Sequence, residues 1–168
     1  TATPLQINNP SSFNTGEDYF IDVSPPSVIS ITLGSATPTA ATSVTFNVNF
    51  SEPVTGVGTS DFALSGTGSG TIASVSGSGV GPYLVTVTGV TAPSLSGTLG
   101  LNVVDDDTII DASLPTGNPL GGSGAGNGNF TGPLYTVDQT APTGTLAQTL
   151  LPSPQADPTA GLTVSFTV

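Results

Sequence analysis

The residues of this sequence that could do chemistry are its carboxylates. Asp105-Asp106-Asp107, with Asp111 four residues on, is the densest acidic group. Neighbouring like charges repel by about 1 kcal/mol per close pair in water. A calcium ion relieves that repulsion, because it takes roughly six to eight oxygens from carboxylates and carbonyls. Alternation along an extended segment places Asp105 and Asp107 on one side. Glu52 and Asp138 are candidates to join them, Asp138 because it stands just before a Thr140-Ala141-Pro142 linker. The candidate metal set is therefore Glu52, Asp105, Asp107, Asp111 and Asp138, and Ca2+ is the one cofactor the sequence suggests. The plainer alternative is a solvated acidic loop.

Other groups with chemical potential are fewer. Glu52 with any Asp could form a glycosidase pair, but nothing positions the second carboxylate, and the chain has only ten aromatics and no Trp. No enzymatic activity is expected. Asn49-Phe50-Ser51 and Asn129-Phe130-Thr131 fit the Asn-x-Ser/Thr glycosylation pattern. The run from Gly121 to Asn129 is similar to a calcium-binding nonapeptide roll, yet it lacks the Asp and occurs once, so a flexible loop before the last strand is expected. Leu114-Pro115-Thr116-Gly117 is similar to a sortase signal but lacks the residue between Pro and Thr; it reads as a turn.

What is missing excludes more. The 168 residues include eleven acids and no Lys, Arg, His, Cys, Met or Trp, for a net charge of −11. Without cations there is no electrostatic drive toward nucleic acid or toward an anionic membrane. Without Cys there is no disulfide or zinc–thiolate site, and without His no Ser-His-Asp triad. No apolar run is long enough for a membrane helix, so no membrane insertion is expected. Thr1 does not open a signal peptide, which points to a removed leader or to a fragment. No carboxylate can pair with a side-chain cation. Each must be solvated, hydrogen-bonded to N–H groups, or neutralised by metal. Trypsin has no site in the chain, so it should leave even the unfolded protein intact.

The elements that must position these groups are short strands. Ser27–Leu33, Ser43–Phe50, Asp61–Leu64, Gly70–Val75, Tyr83–Val90, Gly97–Val104 and Pro133–Val137 alternate with period two. In the first, Ile29, Ile31 and Leu33 are expected on one face. In the second, Val44, Phe46, Val48 and Phe50 face one way and Thr45, Asn47 and Asn49 the other. Clusters such as Ser76-Gly77-Ser78-Gly79 mark turns. The fold expected is all-β: an immunoglobulin-like β-sandwich of about seven antiparallel strands.

A repeat organises the chain. Tyr19-Phe20-Ile21-Asp22 returns as Tyr135-Thr136-Val137-Asp138, an offset of 116 (138 minus 22) that Pro26 and Pro142 keep. Val44–Phe50 returns as Leu162–Val168 with two residues inserted. Residues 1–22 thus read as the end of one repeat, 23–138 as a complete repeat, and 139–168 as the start of the next. The last strand stops at Val168, which implies truncation or completion by another chain.

Phe46-Asn47-Val48-Asn49-Phe50-Ser51-Glu52-Pro53-Val54-Thr55-Gly56-Val57, then Ser60-Asp61-Phe62, resembles the bacterial Ig-like repeats of large cell-surface proteins and adhesins. Leu101–Asp107, Gly117-Asn118-Pro119-Leu120 and Val137-Asp138-Gln139-Thr140-Ala141-Pro142 extend the likeness. The resemblance implies an extracellular, non-catalytic module strung in tandem, with acidic groups at strand ends and linkers. The partners it implies are adjacent Ig-like repeats or copies of the chain itself, and a ligand on a host or neighbouring cell. The alternative is a self-assembling filament subunit joined by strand addition.

Overall fold

The structure is a computed structural model that describes residues 22–113 and 117–144. The repeat remnant before Asp22, the turn at residues 114–116 and the second-repeat strand at 162–168 lie outside the described residues. Among the described residues nine strands follow in chain order: β1 Val28–Leu33, β2 Ser43–Phe50, β3 Val54–Thr55, β4 Phe62–Gly66, β5 Ser69–Ser76, β6 Tyr83–Thr91, β7 Ser96–Val103, β8 Ile110–Asp111 and β9 Phe130–Asp138. Seven of them lie where the alternation placed strands. The two added, β3 and β8, have two residues each, too few to alternate.

A four-stranded sheet runs β1-β2-β6-β5 and a three-stranded sheet runs β4-β7-β9, with every neighbour antiparallel. β3 and β8 form a separate two-stranded ladder. Period-two patterning explains the core. Val44, Phe46, Val48 and Phe50 of β2 are buried, and Phe46 lies opposite Val85 of β6. From the other sheet come Leu99, Leu101 and Val103 of β7 with Tyr135 and Val137 of β9. These side chains form one continuous apolar cluster, the arrangement of a β-sandwich.

Two edge-on aromatic contacts organise the core, one between the two sheets and one between neighbouring strands of the four-stranded sheet. Phe46 meets Tyr135 edge-on across the sheets, at 5.2 Å between ring centres. The Tyr135 hydroxyl donates to the Thr45 carbonyl at 2.7 Å and accepts the Ser35 N–H at 3.0 Å. A fully buried tyrosine thereby spends its polar end on the backbone of the opposite sheet. Phe50 stands edge-on to Tyr83, whose hydroxyl donates to the Val54 carbonyl at 2.9 Å and anchors β3.

β1 departs from the sequence expectation. Ile29 is 62% exposed while Ile31 is 6% exposed, so the two do not share a face. The register shifts between Val28 and Ser30, and an inserted residue turns the side chains that precede it to the other face.

Where β9 passes β1, there is no room for a side chain. A Cβ on Gly132 would run into the Leu101 carbonyl oxygen and stand 3.0 Å from Ile31 Cγ2. The Leu101 carbonyl is backbone and cannot swing away. Gly132→Ala is therefore expected to lower stability by about 1–3 kcal/mol, measured as a lower urea midpoint.

The chain crosses the sandwich from one pole to the other. Before β1, the Pro26 carbonyl accepts the Gly121 N–H, which places the N-terminal segment against the loop that precedes β9. After β9, Gln139 N–H donates to Leu95 O and its side chain donates to Val90 O, at the opposite pole. The nine residues of β9, eight rises of about 3.3 Å, separate the two poles by roughly 26 Å.

Candidate acidic pole

Seven of the eight acids among the described residues stand at the N-terminal pole: Asp22, Glu52, Asp61, Asp105, Asp106, Asp107 and Asp111. Only Asp138 is at the other. The chain has no side-chain cation to pair with them, and the fold gives each of the six aspartates among them at least one backbone N–H donor.

Asp105 is the centre of that arrangement. It is 5% exposed. Its Oδ1 accepts the Asp107 N–H at 3.1 Å, and its Oδ2 accepts the N–H groups of Gly126 and Gly128, each at 3.0 Å. Its own N–H donates to Asn129 Oδ1 at 2.8 Å. Asp107 takes the Gly124 N–H at 3.0 Å. The Gly-rich run 121–129 is thus pinned, not free: alternate amides turn inward onto two carboxylates. That path needs a positive φ at Gly124 (114°) and Gly126 (91°), which glycine adopts at no steric cost. Leu120, fully buried, roots the loop in the core.

Asp61 is 1% exposed. It accepts the Gly58 N–H at 2.6 Å and the Thr108 hydroxyl at 2.8 Å, which joins the start of β4 to the turn after β7. Asp106 accepts the Thr108 N–H at 3.1 Å and shares the single proton of the Thr108 hydroxyl with Asp61. Asp111, 2% exposed, accepts the Ser113 N–H and hydroxyl and, at 2.8 Å, the Asn118 amide. That amide also reaches the Asp22 carbonyl. Five aspartates, at 22, 105, 106, 111 and 138, each accept the N–H two residues ahead. These are Asx turns.

The five residues singled out as a calcium set do not meet at one point. Asp105 and Asp107 share the glycine loop; they face the same way because Asp107 is left-handed (φ 66°) in a turn, not because a strand alternates. Asp111 lies on β8. Glu52, just past β2, is close enough to Asp22 and Asp111 to feel their charge. Asp138 is at the far pole, in its own Asx turn with Thr140. Among the described residues, no group of three or more His, Cys, Asp or Glu is arranged to hold a metal ion. Asp61, Thr108 and Asn118 were missed as members of the pole. The spacing Asp-x-Ser/Thr was the available signal for the turns, but nothing local reports that Asp61 meets Thr108, 47 residues away.

Of the two glycosylation patterns, Asn49 is half-buried on the outer sheet face and donates to Ser30 Oγ at 3.2 Å. Asn129 is exposed, with Oδ1 held by the Asp105 N–H.

Local chemistry sets the acidities. Hydrogen bonds from Thr108 and Thr140 hold the carboxyls of Asp106 and Asp138 below the ordinary aspartate value. Burial pushes Asp111 up, but hydrogen bonds from Ser113 and Asn118 outweigh it and the net direction is down. Glu52 is raised by desolvation first, then by the negative charges of Asp22 and Asp111. A depressed folded pKa contributes stability that is complete above the unfolded value and is lost as pH falls through the folded one. The melting temperature should therefore hold at neutral pH and decline below about pH 4. Glu52 has the opposite sign, since folding disfavours its charged form. Glu52→Gln should raise the melting temperature at pH 7, by less than about 1 kcal/mol in stability, and change nothing well below the glutamate pKa. A thermal-melt series against pH on both proteins checks both signs.

Comparison with protein-family models, with curated proteins and with solved structures finds no match to this chain. The fold and the acidic pole therefore define it only as a cation-free, acidic, antiparallel β-sandwich.

Proposed function

We propose that the chain is a non-catalytic structural module of an extracellular bacterial surface protein, a stalk, spacer or adhesive-fibre element built from immunoglobulin-like repeats in tandem. The observation that carries this reading is the path of the chain, which reaches β1 at one pole and leaves β9 at the opposite one. Modules connected that way string end to end, each adding its own length. The strand orders β1-β2-β6-β5 and β4-β7-β9 support it; they correspond to the four- and three-stranded sheets of a constant-type immunoglobulin domain. Asp22 and Asp138, one repeat apart, both start Asx turns at module junctions. Net negative charge keeps such fibres soluble and extended.

The test is on cells of the source organism. Antibody raised against the chain should label them without permeabilisation, and gold-labelled second antibody should lie out along thin projections. Labelling that appears only after permeabilisation would overturn the reading.

One observation favours the second reading, self-assembly by strand addition. β4 is an edge strand of five residues with no bulge, proline or charge. The edge strands β1 and β5 each carry a bulge, and β9 is covered by Thr39, which pairs with Val137. An undefended edge is a template for another strand. If the purified chain forms filaments, Ala63→Lys should abolish them; filaments unchanged by that charge would remove β4 from the assembly.

A further inference from the structure

The glycine loop holds a reactive pair that neither the core nor the tandem reading uses. Asn127 is followed by Gly128. In a mobile chain this pair is prone to intramolecular attack, because glycine has no side chain to keep its amide nitrogen from the preceding Cγ. In the folded protein both reactants are held. The nucleophile, Gly128 N, donates its proton to Asp105 Oδ2 at 3.0 Å. The leaving group, Asn127 Nδ2, donates to the carbonyls of Gly122 at 3.1 Å and Ser123 at 3.2 Å. Attack requires Gly128 N to lose its proton, and the negative charge of Asp105 disfavours the amide anion that would form. It also requires the Asn127 side chain to swing away from two carbonyls it is satisfying.

We propose that Asn127-Gly128 is a latent modification site, a succinimide-forming pair that Asp105 keeps closed and that reacts only when the loop opens. Gly128 N bonds to Asn127 Cγ, the Cγ–Nδ2 bond breaks, and ammonia leaves with the proton from Gly128. Water then opens the ring at either carbonyl and leaves aspartate or isoaspartate at position 127. No oxidant or reductant enters. The product cannot restore the loop. A carboxylate has no N–H for the Gly122 and Ser123 carbonyls, and it adds a charge beside Asp105 and Asp107. The isoaspartyl link also lengthens the backbone, moving Gly128 N off Asp105. A transient local opening is thereby converted into a permanent one, and the loop records how often it has opened.

The experiment incubates the full chain at neutral pH, folded and in concentrated urea, and follows residue 127 by peptide mass after digestion with an acid-directed protease. Loss of Asn127 should be at least about tenfold slower in the folded protein. Asp105→Asn, with a melt to show that it folds, should bring the folded rate toward the urea rate, while Asp106→Asn should not. Equal rates in folded and unfolded protein would overturn the proposal, as would an unchanged rate in a folded Asp105→Asn. Should Asp105→Asn not fold, the wild type decides in urea below its midpoint. Modification that rises there ahead of global unfolding supports a locally opening loop; modification that tracks global unfolding alone refutes it.

Discussion

Asp105→Ala should destabilise the protein by about 3–5 kcal/mol, the largest effect expected of any polar substitution here. The carboxylate accepts three backbone N–H groups, from Asp107, Gly126 and Gly128, at a site 5% open to solvent. Hydrogen bonds to a charged acceptor contribute about 1.5–3 kcal/mol each, and buried donors left without a partner cost about 1–3 kcal/mol. The full sum is not reached, because the glycine loop can swing out and give its amides to water. With a urea m-value of about 1–3 kcal/mol/M, the midpoint should fall by more than about 1 M. Asp106→Ala is the matched control. It removes a carboxylate from the same acidic run, but an exposed one whose partner Thr108 keeps Asp61. A midpoint for Asp105→Ala no lower than for Asp106→Ala would mean that the pole is held by something other than this carboxylate.

Phe46→Ala should cost about 3–5 kcal/mol as well, by a different mechanism. Phe46 is completely buried at the middle of β2, and its ring fills the space between the sheets against Tyr135. Removing it opens a cavity that stiff, paired strands on both sides cannot collapse. Tyr135→Phe separates packing from hydrogen bonding at the same place. It keeps the ring contact and removes only the hydroxyl that serves Thr45 O and Ser35 N–H, for about 1–3 kcal/mol. Because the two rings touch, the double substitution Phe46→Ala/Tyr135→Phe should be less than additive. Urea melts of all three variants check this. A loss for Phe46→Ala below that for Tyr135→Phe would show that the hydroxyl, not the rings, joins the layers.

The inference on Asn127-Gly128 and the first prediction meet at one carboxylate. The same Asp105 oxygen that stabilises the pole is the one that occupies the Gly128 amide. Stability of the loop and its chemical lifetime should therefore change together in any variant of Asp105.

Much of the scaffold was readable before folding because alternation is a local property. Val44, Phe46, Val48 and Phe50 announce an inward face of β2 on their own, and the structure buries all four. The same rule failed at Ile29, where a register shift against β2 reversed the face; a bulge is a relation between two strands, invisible in either. The absence of Lys, Arg and His determined that no aspartate could be paired with a side-chain cation, and this left N–H groups, water or metal as the alternatives. It did not determine which. Asp105, Asp106 and Asp107 look alike in sequence, yet Asp105 is buried and takes three amides while Asp106 is exposed and takes Thr108. That difference arises because a loop beginning sixteen residues later, rooted by Leu120 in the core, turns its glycine amides onto Asp105 and Asp107. Composition and period are written along the chain and fix which residues must be buried and which charges must be accommodated. Which donor meets which carboxylate depends on segments distant in sequence being brought together, and only the packed sandwich does that.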